Sequence, residues 1–202
     1  ALAANTTGGH NLAIGTGVLQ HCVDGAANIG IGSGALDDWD VGGGTSTTVD
    51  GSVHNLMIGV DAGGGAWTNV VSAYNVGIGN YVMDAAMDGA NHNVALGYAA
   101  LGSLTTGDSN ISIGRNTASS TTTGQSNIAI GSLQDTGSIN AALETNTVGS
   151  FNIAIGSGAL STANENDNDG TVAIGHAACM VQAGTGGDQF TNATTAVGYK
   201  AL

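Results

Sequence analysis

The chain has 202 residues, with 15 acidic side chains against 2 basic ones, 35 glycines, no proline and 2 cysteines. A formal charge of −13 is the wrong sign for nucleic acid or an anionic membrane surface, both of which are held by lysine and arginine; zero proline excludes collagen, and 42% hydrophobic content excludes a disordered acidic chain. No apolar run approaches the ~18 residues of a spanning helix, residues 1–20 lack a charged-then-apolar signal pattern, and a first residue Ala1 reads as a processed chain or a piece of a longer one.

Taken from the N-terminus, one phrase keeps returning: Asn, apolar, small, apolar, Gly. It predicts short strands at Leu12–Ile14, Ile29–Ile31, Leu56–Ile58, Val76–Ile78, Val94–Leu96, Ile111–Ile113, Ile128–Ile130, Ile153–Ile155, Val172–Ile174 and Thr195–Val197, with Thr replacing Asn in the last two copies. The closing glycines are separated by 17, 27, 20, 18, 17, 17, 25, 19 and 23 residues, a 17-residue minimum with insertions. A fixed period with insertions at one phase is the signature of a stacked repeat. Residues 1–202 therefore read as a single all-β domain, a parallel β-solenoid (β-roll) of about ten coils with a minimum period of 17 and variable loop insertions. The motif speaks against helices, being five residues long and mostly bounded by glycine.

The first and third strand positions are almost all Ile, Leu or Val, which suit a stacked pleat and are expected to form the internal rows of the rod. The position between them stays small, from Ala13 and Gly30 to Ala173 and Ala196, and should face the other way. Something close is expected to cover it: a second sheet, a second chain or the axis of a trimer. The asparagines before the strands can form a hydrogen-bonded ladder along the rod or brace local turns. An Ala-Leu tail recurs at Ala35-Leu36, Ala100-Leu101, Ala159-Leu160 and Ala201-Leu202, and its absence after Asp61 and Ser132 predicts bulged coils there. Ala1-Leu2 and Ala201-Leu202 share one phase of the coil, so coils are expected to continue across a junction with another copy or the rest of a longer chain.

The strings Asn127-Ile-Ala-Ile-Gly131 and Asn152-Ile-Ala-Ile-Gly156 resemble the YadA-like head repeats of trimeric autotransporter adhesins. Asn93-Val-Ala-Leu-Gly-Tyr-Ala-Ala-Leu101 and Thr194-Thr-Ala-Val-Gly-Tyr-Lys-Ala-Leu202 are similar to repeats of phage tail fibres. The resemblance implies a non-enzymatic, extracellular, self-associating fibre subunit or adhesive head, on a cell surface or a virion appendage. The alternative it carries is a receptor-binding tail-fibre segment that recognises a host glycan.

Candidate sites are few. Glu165, Asp167 and Asp169 alternate before Gly170 as in a calcium loop, although the twelfth position is His176 rather than Glu. Asp37, Asp38 and Asp40 form a second acidic cluster, and solubility with repulsion between fibres is the simpler account of both. Trp39 and Trp67 lie in insertions, where they would stack on a glycan, anchor a partner or cover their own loops. His10, His54 and His92 each precede a motif Asn on alternate coils, too far apart to share a metal. Cys22 and Cys179 are too many coils apart for an intrachain disulfide. Cys179 takes a tail Leu position as a core thiol, and Cys22 is free to bridge to another chain. Asn5-Thr-Thr7 and Asn192-Ala-Thr194 fit the glycosylation acceptor pattern. The Ile-Gly-x-x-Ala phrase is similar to that of hexapeptide acyltransferases, which need three such phrases per coil where this chain has one. No catalytic constellation is assigned.

Overall fold

A computed structural model describes residues 1–5, 7–23, 25–37, 51–67, 70–132, 140–162, 169–180 and 194–201. Among the described residues, ten three-residue strands form one parallel sheet in strict chain order: β1 (Leu12–Ile14), β2 (Ile29–Ile31), β3 (Leu56–Ile58), β4 (Val76–Ile78), β5 (Val94–Leu96), β6 (Ile111–Ile113), β7 (Ile128–Ile130), β8 (Ile153–Ile155), β9 (Val172–Ile174) and β10 (Thr195–Val197). The motif copies pair position for position, so Leu12 sits beside Ile29, Ala13 beside Gly30 and Ile14 beside Ile31. The chain is an all-β solenoid with a regular winding of about eight turns and a period of about 19 residues.

Each winding is closed by hydrogen bonds to the next. Along the sheet, the Leu12 N–H donates to the Asn28 carbonyl and Ile29 to that of Asn55, both at 2.8 Å. A second ladder runs through the tails: Leu19 to Ala35, Leu36 to Ala62, Gly63 to Val82, Met83 to Ala100, and on to Cys179 with Ala201. The tail after Asp61 is therefore in line with its neighbours, not bulged. After Gly131 the tail is delayed, and Ala142-Leu143 takes its place. The corners need left-handed backbone, and many are taken by non-glycine residues such as Leu36 (φ 54°), His54 (58°) and Leu101 (51°). At the motif glycines from Gly15 to Gly175 a Cβ would run into the backbone of the next coil. A Cβ on Gly97 (φ 133°) would lie 2.5 Å from the Gly114 carbonyl oxygen.

The inside and outside of the coil are the reverse of the sequence expectation. The small middle positions face inward and are buried from Met57 to Ala196, while the flanking branched residues face outward, none of them buried. Alternation along a strand separates two faces but does not say which is inner. Volume decides it. The tails supply the bulk, through Leu19, Leu36, Met83, Leu101, Leu143 and Leu160, all fully buried, and leave room opposite for only a methyl or a hydrogen. Nothing further is needed to cover the small column, because the protein's own tails do so.

One stretch of core shows how tight the fit is. Gly63 occupies a Leu position in its tail, and a Cβ there would meet Leu36, Met57 and Trp67 at 3.1 to 3.2 Å. Met57 stands in a column that is otherwise small, and its neighbours on both sides are glycines, Gly30 and Gly77. Met57 and the ring of Trp67 fill the space left by the missing leucine, and the two glycines make room for Met57. At β6 the inward residue is Ser112. Its hydroxyl donates to the Thr117 carbonyl (2.8 Å) and lies 2.7 Å from Thr117 Oγ1, so the polar pair is satisfied inside the core.

Candidate functional site

The asparagines form a continuous buried ladder. Asn11 Oδ1 accepts the backbone N–H of Asn28 (2.9 Å) and its side-chain amide (3.2 Å). The same pair of bonds repeats from Asn28 to Asn55, Asn75, Asn93, Asn110, Asn127 and Asn152. The second amide hydrogen goes to a carbonyl of the following winding, as Asn110 does to Gly124 (2.9 Å). At Thr171 the backbone N–H still donates to Asn152 Oδ1 (3.0 Å), but a threonine has no amide to pass the chain of bonds onward. The ladder is structural, and it anchors the first residue of each strand.

That anchoring presents the outer face. Two columns, from Leu12 and Ile14 on β1 to Thr195 and Val197 on β10, hold nineteen aliphatic side chains in twenty positions, with no charge among them. Exposure reaches 53% at Ile14 and 64% at Val197. Strand spacing and rise make the stripe roughly 45 Å long and roughly 450 Å² in area. Isolated surface aliphatics are ordinary; this stripe is contiguous and lies within the size range of the largest apolar patch on a typical monomer.

The stripe has two margins. The residue before each ladder asparagine forms the leading margin, where His54, Tyr74 and His92 stack nearly parallel at 5.1 and 5.0 Å. The phenol separates the two imidazoles, and the missing ring of this column was Tyr74, which a search for histidines alone passes over. The residue after each strand glycine forms the trailing margin. There Arg115 sits 6.0 Å from the Tyr98 ring centre, and Tyr98 also meets, edge-on at 5.5 Å, Tyr81, one position beyond the margin. At the last two coils His176 stacks on Tyr199 at 5.4 Å.

The residues singled out from sequence do not converge. Trp67 is 2% exposed and packed in the core, so it offers nothing to a glycan or a partner. Trp39, Glu165, Asp167, Asp38 and Asp40 lie outside the described residues. Asp169 Oδ1 accepts the Ser150 N–H at 2.6 Å. Cys22 and Cys179 are both buried thiols outside any disulfide, which withdraws Cys22 as a bridge to another chain; burial also pushes the Cys179 thiol up. Among the described residues no three His, Cys, Asp or Glu side chains group closely enough to hold a metal ion. Asp84, beside Asp61, has its carboxyl raised to about 6, first by burial and then by the neighbouring charge. Among the described residues no helix is long and apolar enough to cross a membrane.

No family model, curated protein or solved structure matches the chain.

Proposed function

We propose that the protein is a non-enzymatic structural or adhesive module, a subunit or segment of an extracellular filament or adhesin head that associates with copies of itself. The observation that carries this reading is the outward aliphatic stripe. A molecule of charge −13 keeps one long face free of charge and rich in Ile, Val and Leu. Covering it at about 25 cal/mol per Å² supplies a large driving force for association. Copies of the chain repel one another over most of their surfaces and can meet on this face. Extracellular placement is supported by the cleavage chemistry: Arg115 and Lys200 are the only trypsin sites in 202 residues.

Light scattering combined with negative-stain imaging tests the reading. The purified chain is expected to run as a defined multimer or filament at physiological salt. Ile113→Lys, which places a charge in the middle of the stripe, is expected to yield monomers with an unchanged circular dichroism spectrum. A wild-type chain that stays monomeric at tens of micromolar overturns the proposal.

A further inference from the structure

We propose that Tyr81 and Tyr98 form an oxidative cross-linking site, at which a one-electron oxidant of the peroxidase class joins the two phenols as an intrachain dityrosine and staples one winding of the solenoid. Among the described residues theirs is the only contact between two tyrosine rings, with centroids 5.5 Å apart and planes at 72°. Tyr74 is held between His54 and His92, and Tyr199 against His176. Both rings of the pair reach solvent, Tyr98 48% and Tyr81 39% exposed, so an oxidant meets them in the folded chain. The site does not depend on association between copies.

The winding itself brings the pair together. The Ala99 N–H donates to the Asn80 carbonyl and the Gly97 N–H to that of Ile78, which sets Asn80 beside Tyr98 and Tyr81 beside Ala99 on successive coils. Neither small neighbour keeps the phenols apart. Ala99 carries only a methyl, and the Asn80 side chain is turned to the preceding coil, where its Oδ1 accepts the Val60 N–H at 3.0 Å. Tyr81 leans across the vacated space to the Tyr98 ring. The chemistry then needs only an electron acceptor. The oxidant takes one electron and one proton from each phenol and leaves two neutral phenoxyl radicals. A new carbon–carbon bond forms between their ortho carbons, and the two ortho hydrogens move to the phenolic oxygens as protons when the rings regain aromaticity. The chain loses two hydrogen atoms in all, and one hydrogen peroxide is reduced to two waters. Exposed side chains turn within picoseconds to nanoseconds, which lets an edge-on pair reach the ortho-to-ortho geometry.

The two residues are 17 apart, almost one full winding, so the product closes a covalent ring around the rod. A cross-link of that loop length acts chiefly on the unfolded chain and is expected to raise the melting temperature by roughly 5–10 °C. The test is treatment of the dilute purified chain with a peroxidase and one equivalent of hydrogen peroxide. The expected product fluoresces as dityrosine, keeps the mass of a single chain less two hydrogens, and after cleavage at Asp84 and Asp88 yields the Tyr81 and Tyr98 peptides still joined. Tyr81→Phe and Tyr98→Phe, which keep the rings and should keep the circular dichroism spectrum, are each expected to lose the product. Tyr74→Phe and Tyr199→Phe are expected to retain it, and unfolding in urea before oxidation should lower the yield several-fold. Absence of dityrosine in the folded chain, a product that survives Tyr98→Phe, or species of twice the chain mass in place of the monomeric one overturns the site. An unchanged melting temperature of the joined chain overturns the staple.

Discussion

At the scale of single residues, the core works by local exchange of volume. Met57 between Gly30 and Gly77 is the clearest case, since a Cβ on Gly77 would fall 2.5 Å from Met57 Sδ and 3.0 Å from Val82 Cγ1. Gly77→Ala is expected to cost about 1–3 kcal/mol by overpacking, and Met57→Ala about 2–4 kcal/mol by leaving a cavity. The double variant should be at least about 1 kcal/mol more stable than the sum of the singles, because the new methyl enters the vacated space. Urea unfolding of the four proteins reads this directly, and strict additivity would mean the pair does not exchange volume. Asp84 is a second residue-scale case. Its carboxyl is raised from 3.8 to about 6, so the folded chain holds a proton that the unfolded chain releases. Stability from this group is therefore present at low pH and is lost as pH rises from about 4 to about 6. Asp84→Asn should leave stability at pH 3.5 unchanged and raise it at pH 7.5 by about 1 kcal/mol, discounted because the group is partly solvated. Thermal melts of the two proteins across that range check the sign.

At the scale of the element, each strand is too short to hold its place by pairing alone, and the asparagine ladder supplies the register. Removing an interior rung breaks bonds to both neighbours. Asn110→Ala leaves the Asn127 backbone and side-chain amides without Asn110 Oδ1, and takes the side-chain amide donor from Asn93 Oδ1, which keeps the residue-110 backbone N–H, and from the Gly124 carbonyl. Each buried group left unpaired costs about 1–3 kcal/mol, so a loss of several kcal/mol is expected. Asn11→Ala, at the partly exposed start of the ladder, should cost markedly less. Equal losses at the two positions, by chemical denaturation, would show that the rungs act only locally. The ladder and the ten strands were legible in the sequence because a repeated hydrogen-bonding residue at one phase of a period has few other uses. The inside of the coil was not. An Ile-Ala-Ile strand is symmetric with respect to its two faces, and the bulk that fills the core lies five or more residues downstream, in tails such as Ala35-Leu36. The place of Trp67 stays open in the sequence for a related reason. Its insertion fits a glycan contact, a partner anchor and the cover of its own loop alike, and the signal that decides for burial is Gly63 standing where a leucine belongs, a deficit of volume that something nearby had to fill.

At the scale of the molecule, two opposed features govern behaviour in solution: a charge of −13 carried on turns and insertions, and a neutral aliphatic stripe along the sheet. Charge repulsion resists association, and removal of apolar surface from water drives it. The Debye length is about 30 Å at 0.01 M salt, so the charges of two adjacent rods interact across the whole cross-section; at 0.15 M it is about 8 Å and only neighbouring groups do. Association should therefore strengthen as salt rises from 0.01 to 0.3 M. It should weaken on cooling from 37 to 4 °C, because apolar burial loses strength in the cold. Sedimentation equilibrium across this grid is expected to show the tightest assembly in warm, salty buffer. Ile113→Lys should stay monomeric at every point. The opposite salt dependence would identify a contact made by ion pairs, for which Arg115 and Lys200 are the only cationic side chains apart from histidine, and would move the interface off the stripe.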